Sequence, residues 1–127
     1  MRYIFLREAS DIWSQNKGAS MATKDPNASE RIFQSQVEQI ASMNGWLIHH
    51  PSPHQVRPGV WRSDGKGFPD LVLAHRERGV IFAELKLLDG KLSPMQVIWG
   101  NALKPHVEHY VWRPNQLEMI AERLGRA

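Results

Sequence analysis

The stretch GFPDLVLAHRERGVIFAELKL, residues 67–87, decides the fold of this chain. Two segments rich in Val, Ile, Leu and Phe, at 69–74 and 79–88, flank a charged turn at 75–78. This composition predicts two β-strands joined as an antiparallel hairpin. Because the segments are apolar on both faces, we expect them inside a sheet that is covered on both sides.

Three charged residues interrupt these apolar strands: Asp70, Glu84 and Lys86. A turn centred near Glu77 sets a register in which Asp70 lies directly opposite Glu84, with Cβ atoms about 4.5–5.5 Å apart. Side chains alternate along a strand, so Glu84 and Lys86 share a face. The hairpin is therefore expected to gather all three groups at one end.

This grouping of charges suits hydrolysis of a phosphodiester. Two adjacent carboxylates repel each other, which raises one pKa unless a cation bridges them. Ligand sets made of oxygen alone favour Mg²⁺. A neighbouring lysine can orient or activate water and stabilise charge on phosphorus. The alternative, that the charges merely solvate a sheet edge, conflicts with the apolar flanks, where unpaired ions are costly.

The remaining sequence predicts an α/β domain with a mixed sheet flanked by helices, in the order α-β-β-β-α-β-α. Outside the hairpin we predict a helix with Ser29 as N-cap that stops at Gly45, a strand at 46–51, a long loop at 51–67, a helix capped by Ser93 that ends near 104, a strand at 107–112 and a helix at 115–124.

Length and composition narrow the class of protein. The chain has 127 residues and no cysteine, which predicts one domain and excludes disulfides and cysteine-ligated metals. No apolar run approaches the roughly 18 residues of a membrane span, so no membrane partner is expected. Residues 29–127 are predicted to form the domain and 1–28 a flexible N-terminal extension. Another hypothesis is that the natural chain starts at Met21.

The pair Pro69-Asp70, followed by Glu84-Leu85-Lys86, resembles the PD-(D/E)xK nuclease signature. The wider pattern of SERIFQSQV, GW, GFPDLVL, IFAELKL and GKLSPMQVIWGNAL resembles the VRR-NUC family of that superfamily, in its standalone phage and bacterial form. The match spans 29–112, and Phe68 departs from the commoner valine or isoleucine.

The resemblance implies a restriction-endonuclease-like core and a DNA endonuclease that uses Mg²⁺, with Mn²⁺ as a substitute. It also implies a homodimer selective for Holliday junctions or other branched DNA in replication, repair or recombination, in the cytoplasm of a bacterial or phage-infected cell. The implied site residues are Asp70 and Glu84 as metal ligands with the Leu85 carbonyl, Lys86 as the catalytic lysine, Glu30 near the metal or its waters, and Gln96 beside the active site.

Simpler roles exist for two of these residues: Glu30 suits a helix N-terminus electrostatically, and Gln96 suits a solvated first turn.

A basic stretch before the hairpin is the candidate DNA contact. The net charge of +3 and a pI of about 9.5 permit an anionic partner. Arg57, Arg62 and Lys66 are predicted to clamp substrate phosphates, and His50 to contact phosphate or line the cleft. A solvated loop is the alternative. The other functions considered are a catalytically inactive nucleic-acid-binding module, a flap or single-strand nuclease, and a hydrolase of small phosphorylated substrates.

Overall fold

The computed structural model describes residues 28–51, 54–62 and 65–126. The predicted extension at 1–28, including Met21, lies outside the described residues apart from Ala28. The elements are α1 (Ala28–Met43), β1 (Leu47–His49), β2 (His54–Arg57), β3 (Val60–Arg62), β4 (Leu71–His75), β5 (Gly79–Leu85), α2 (Pro94–Leu103), β6 (Glu108–Trp112), a 3₁₀ turn (Pro114–Gln116) and α3 (Leu117–Leu124).

Four strands form a mixed sheet in the order β1-β4-β5-β6. Strand β4 runs antiparallel to β1 and β5, whereas β6 runs parallel to β5. The pairing of Leu71 with Ala83 and of Ala74 with Val80 is the predicted hairpin register. The prediction of an α/β fold with a mixed sheet flanked by helices is therefore confirmed.

The prediction of a plain loop at 51–67 is wrong. Strands β2 and β3 form a separate two-stranded antiparallel sheet within it, which adds two strands to the predicted order. The turn between them is Pro58-Gly59, with Gly59 at φ 78°, and proline followed by a glycine with positive φ suits a type II turn. Strands of four and three residues are too short to display an alternating pattern, so no periodic signal marks them.

Two helix boundaries were predicted from capping residues, with opposite outcomes. Ser29 already lies within α1, so it is not the N-cap. Ser93 caps α2 as predicted, because its Oγ accepts a hydrogen bond from the backbone N–H of Gln96 at 3.2 Å, and Pro94 follows as the first helical residue.

The core lies between α1, α3 and one face of the sheet. Phe33, Val37 and Ile40 from α1 are buried together with Leu71 and Ile81 from the central hairpin. Burial of such apolar side chains is the main stabilising term for the domain. The side chains at the alternate positions of β5, including Glu84, point to the other face of the sheet, away from this core.

Helix α2 approaches the sheet through the segment before β4. Gly67 has φ 86°, and a Cβ there would lie 2.6 Å from the carbonyl carbon of Met95, so only glycine fits. Phe68 then packs edge-to-face on Trp99 at 4.9 Å and on Phe82 at 5.9 Å between ring centroids. These contacts set the first turn of α2 beside Asp70. Among the described residues, none of the helices has the length and hydropathy needed to cross a bilayer.

Candidate metal and catalytic site

A pocket of about 140 Å³ opens where β5 ends, next to the first turns of α1 and α2. All six residues that the resemblance implied as site residues line it, and so do three further side chains. The lining consists of Glu30, Phe33, Gln34, Asp70, Glu84, Leu85, Lys86, Leu87 and Gln96. Elements far apart in sequence therefore bring the predicted catalytic and metal-binding residues to one place.

Asp70 lies one residue before β4 and faces Glu84 across the hairpin, as an extension of the Leu71–Ala83 pairing. Its Oδ2 accepts a hydrogen bond of 2.8 Å from the backbone N–H of Leu85. The Asp70 side chain thus binds the backbone of β5 one residue before β4 begins. This bond fixes the Asp70 carboxylate beside Glu84 and keeps it at the pocket wall.

Glu84 is a buried carboxyl group, with 3% of its surface exposed. Burial, then a hydrogen bond to Asp70 and repulsion from its charge, raise the pKa of Glu84 from 4.5 to about 9, whereas the Lys86 ammonium acts in the opposite direction. The effect of Lys86 does not offset the others. At neutral pH, and without a bound cation, the Asp70–Glu84 pair therefore retains a proton.

Gln96 connects the cap of α2 to Glu84. Its Oε1 accepts a 2.8 Å hydrogen bond from the backbone N–H of Ser93, and its Nε2 donates to Glu84 Oε1 at 2.9 Å. Because a backbone N–H can only donate, the amide oxygen must face Ser93, which leaves the amide nitrogen for Glu84. The capping box therefore fixes both the helix start and the orientation of the carboxylate.

Lys86 and Glu30 approach the pocket from different sides. Lys86 follows β5, and its backbone N–H donates to the Trp112 carbonyl at 2.9 Å, so it stays aligned with β6. It is half-buried, whereas Glu30 is exposed in the first turn of α1. Leu85 lies between Glu84 and Lys86 and lines the pocket as well.

Of the predicted DNA-binding residues, the structure describes the side chains of Lys66 and His50, and neither lines the pocket. The side chains of Arg57 and Arg62 lie outside what the structure describes, although their backbones end β2 and β3. Lys66 is exposed, and its carbonyl accepts a hydrogen bond from the Trp99 indole at 3.1 Å. His50 lies beside the α1 residue Glu38, with 4.0 Å between Nε2 and Oε1, and does not line the pocket.

The sequence reasoning missed Phe33, Gln34 and Leu87 as pocket-lining residues. Gln34 follows Glu30 by four positions, a spacing that places both on one helix face, so this residue was within reach of the sequence. Phe33 is an apolar residue at helical spacing, a pattern that indicates core packing and not a site. Nothing in the sequence marks Leu87 as a pocket residue, because its position depends on how the chain turns after β5.

Three carboxyl side chains line the pocket, and two of them, Asp70 and Glu84, face each other across the hairpin. In segments 28–51, 54–62 and 65–126, no three acidic or histidine side chains gather as a metal-binding cluster. Comparisons with protein-family models, curated proteins and solved structures find no match to this chain. The chemistry therefore follows from the pocket itself, which combines two crowded carboxyl groups, an ammonium and a fixed amide.

Proposed function

We propose that this protein is a metal-dependent DNA endonuclease with a PD-(D/E)xK core of the VRR-NUC type, which hydrolyses phosphodiester bonds. The observation that carries the proposal is the convergence of Asp70, Glu84 and Lys86 in one pocket, with Glu84 held protonated by its surroundings. Such perturbed groups in a cleft are typical of functional sites.

The residues of the pocket fit Mg²⁺. A buried carboxylate pair with an excess of negative charge is relieved by a divalent cation, and Mg²⁺ commonly uses one or two carboxylates together with waters and substrate phosphate. Asp70, Glu84 and the Leu85 carbonyl would hold the ion, with Glu30 at the rim. The bound ion would lower the pKa of water and neutralise negative charge on the phosphate.

The protein's own groups supply position and charge. Gln96 and the Leu85 N–H hold the two carboxylates in fixed orientations. The Lys86 ammonium donates hydrogen bonds to the attacking water or to the phosphate, where negative charge increases during the reaction. Water adds to phosphorus and releases one proton to solvent, the bond from phosphorus to the leaving sugar oxygen breaks, and that oxygen takes up a proton.

The size of the pocket favours a polymer over a small phosphorylated substrate. Sites for small molecules enclose about 300–1,000 Å³, whereas this pocket encloses about 140 Å³. It therefore suits one phosphate group, with the rest of the substrate outside. Branched DNA, such as a four-way junction, and a homodimer are the partners that the family resemblance favours, because two-fold symmetry presents two sites to paired strands.

A cleavage panel tests the proposal with single-stranded, duplex, flap and four-way DNA. Wild type should cleave only with Mg²⁺ or Mn²⁺. Asp70→Ala and Lys86→Ala should lose at least 100-fold in rate yet still bind DNA, whereas Glu118→Gln and Lys91→Ala, at exposed positions, should cleave normally. Cleavage unaffected by Asp70→Ala refutes the assignment. Binding without cleavage in any metal instead identifies an inactive nucleic-acid-binding module.

The same panel ranks the substrates, and solution mass tests the assembly. Preferred cleavage of the four-way junction supports branched DNA, and preferred cleavage of flap or single-stranded DNA supports the alternative nuclease. A protein that is monomeric by light scattering while fully active on junctions contradicts the homodimer.

A further inference from the structure

Arg113, the residue directly after β6, uses its side chain on the loop that follows Lys86. Its Nη1 donates to the Leu87 carbonyl at 2.5 Å, to the Gly90 carbonyl at 2.8 Å and to the Leu88 carbonyl at 3.5 Å. Within the described segments, its guanidinium pairs with no carboxylate. The charged Arg113 side chain thus donates hydrogen bonds to carbonyl groups within one short stretch of main chain.

Residues 87–90, which we call the clamp loop, form a tight turn against Lys86. The Gly90 N–H donates to the Leu87 carbonyl at 3.0 Å, which closes the turn. A Cβ on Gly90 would lie 3.4 Å from Lys86 Cδ and 3.3 Å from the Leu87 carbonyl oxygen. The clamp loop therefore lies against the aliphatic stem of Lys86 at Gly90.

Arg113 is itself held in place independently of the loop. Its backbone N–H donates to Gln116 Oε1 at 2.8 Å, and the preceding Trp112 carbonyl accepts from the Lys86 N–H at 2.9 Å. Main-chain bonds thus anchor both Lys86 and Arg113 at the end of β6. The clamp loop bridges them through the side chain of Arg113 on one side and the lysine stem on the other.

We infer that Arg113 is a positioning residue for Lys86: its guanidinium holds the clamp loop against the lysine stem and so sets where the ammonium lies in the pocket. The catalytic consequence rests on the proposed nuclease function. Removing the guanidinium leaves Asp70 and Glu84 untouched, so it affects the placement of the lysine and not the carboxylate pair.

The test compares Arg113→Met, which keeps the stem without donors, with Arg113→Lys, whose ammonium also offers three donors. In NMR spectra, the nuclear Overhauser effect between Lys86 Hδ and Gly90 Hα should persist in wild type and Arg113→Lys and disappear in Arg113→Met. In DNA cleavage, Arg113→Met should lower kcat at least 10-fold, whereas KM and the half-saturating Mg²⁺ concentration should stay within 2-fold of wild type. The kcat of Arg113→Lys should be within about 3-fold of wild type.

Arg78→Met is the matched control. Arg78 also donates to main-chain carbonyls, those of Asn44 at 3.2 Å and Leu124 at 2.9 Å, but at the other end of β5. It should lower thermal stability without changing the Lys86–Gly90 Overhauser effect or kcat. Gly90→Ala is a second route should Arg113→Met fail to fold: without strain in φ, the added methyl would lie 3.3 Å from the Leu87 carbonyl oxygen, so the clamp loop must shift beside the lysine stem. This variant should lower kcat about 3- to 10-fold.

The outcomes separate this inference from the proposed function. A Lys86–Gly90 Overhauser effect that survives in Arg113→Met overturns the inference, and so does its disappearance in a variant that keeps wild-type kcat. If the effect disappears in Arg113→Met, persists in Arg113→Lys, and the protein cleaves no DNA, the positioning role is supported and the nuclease assignment is refuted.

Discussion

Replacing Glu84 by glutamine should stabilise the metal-free protein at neutral pH. The pKa of Glu84 lies at about 9 in the folded protein and at 4.5 for an ordinary glutamate. Above pH 4.5 the unfolded chain loses this proton while the folded protein keeps it, so wild-type stability falls as pH rises. The contribution is fully present below pH 4.5 and is lost as pH rises through about 9.

The magnitude follows from the size of the pKa shift. Each pH unit in this window lowers the wild-type free energy of unfolding by about 1.4 kcal/mol. The loss between pH 4.5 and pH 7 is about 3 kcal/mol. Glutamine is a neutral isostere that still accepts from Gln96 Nε2 and can donate to Asp70. The free energy of unfolding of Glu84→Gln, minus that of wild type, should therefore increase by about 3 kcal/mol over this range.

Urea unfolding in EDTA at pH 5, 6, 7 and 8, followed by tryptophan fluorescence, measures this difference. Glu118→Gln, on the exposed surface of α3, provides the control and should give a difference that does not change with pH. A stability difference for Glu84→Gln that is independent of pH, or that grows as pH falls, would refute the reasoning. Addition of Mg²⁺ should then stabilise wild type and leave Glu84→Gln unchanged.

Four further substitutions test other parts of the structure. Glu108 accepts a bidentate contact from Arg123 at 2.7 Å, which lowers the pKa of Glu108. In urea unfolding, Glu108→Gln should lower the free energy of unfolding by about 1 kcal/mol at pH 7 and by less as pH falls. Gly67→Ala should cost about 3 kcal/mol or more because a Cβ there meets the α2 backbone. Gly59→Ala, where a Cβ would have no described atom within 4 Å, should cost about 1 kcal/mol in the same assay. Gln36→Met removes two buried amide atoms that have no hydrogen-bond partner among the described residues and should raise the free energy of unfolding by about 1–2 kcal/mol.

The hairpin was predictable because its information is local. Apolar runs on both sides of a charged turn define two strands, and the position of the turn fixes their register, so Asp70 was correctly expected opposite Glu84. Ser93-Pro94 likewise carried a complete helix-start signal, since a capping side chain and a fixed φ act within one turn.

The parts that sequence reasoning missed depend on long-range backbone geometry. The β2–β3 hairpin consists of strands too short for a periodic pattern. Arg113 lies 23 residues from Gly90 in the sequence, and its guanidinium contacts main-chain carbonyls, which any residue type supplies. A side chain that recognises backbone leaves no partner residue to be found in the sequence, so neither spacing nor charge pairing could indicate the clamp loop.

Helix α2 shows why the pocket and the fold depend on each other. Only Gly100 of this helix is fully buried, and Met95, Val97 and Ile98 remain exposed, so apolar burial contributes little to holding it. Its attachment depends on the ring contact of Trp99 with Phe68 and on polar contacts at its first turn, including the bond from Gln96 to Glu84. The carboxyl group that weakens the fold as pH rises, through its raised pKa, is thus also an anchor for α2.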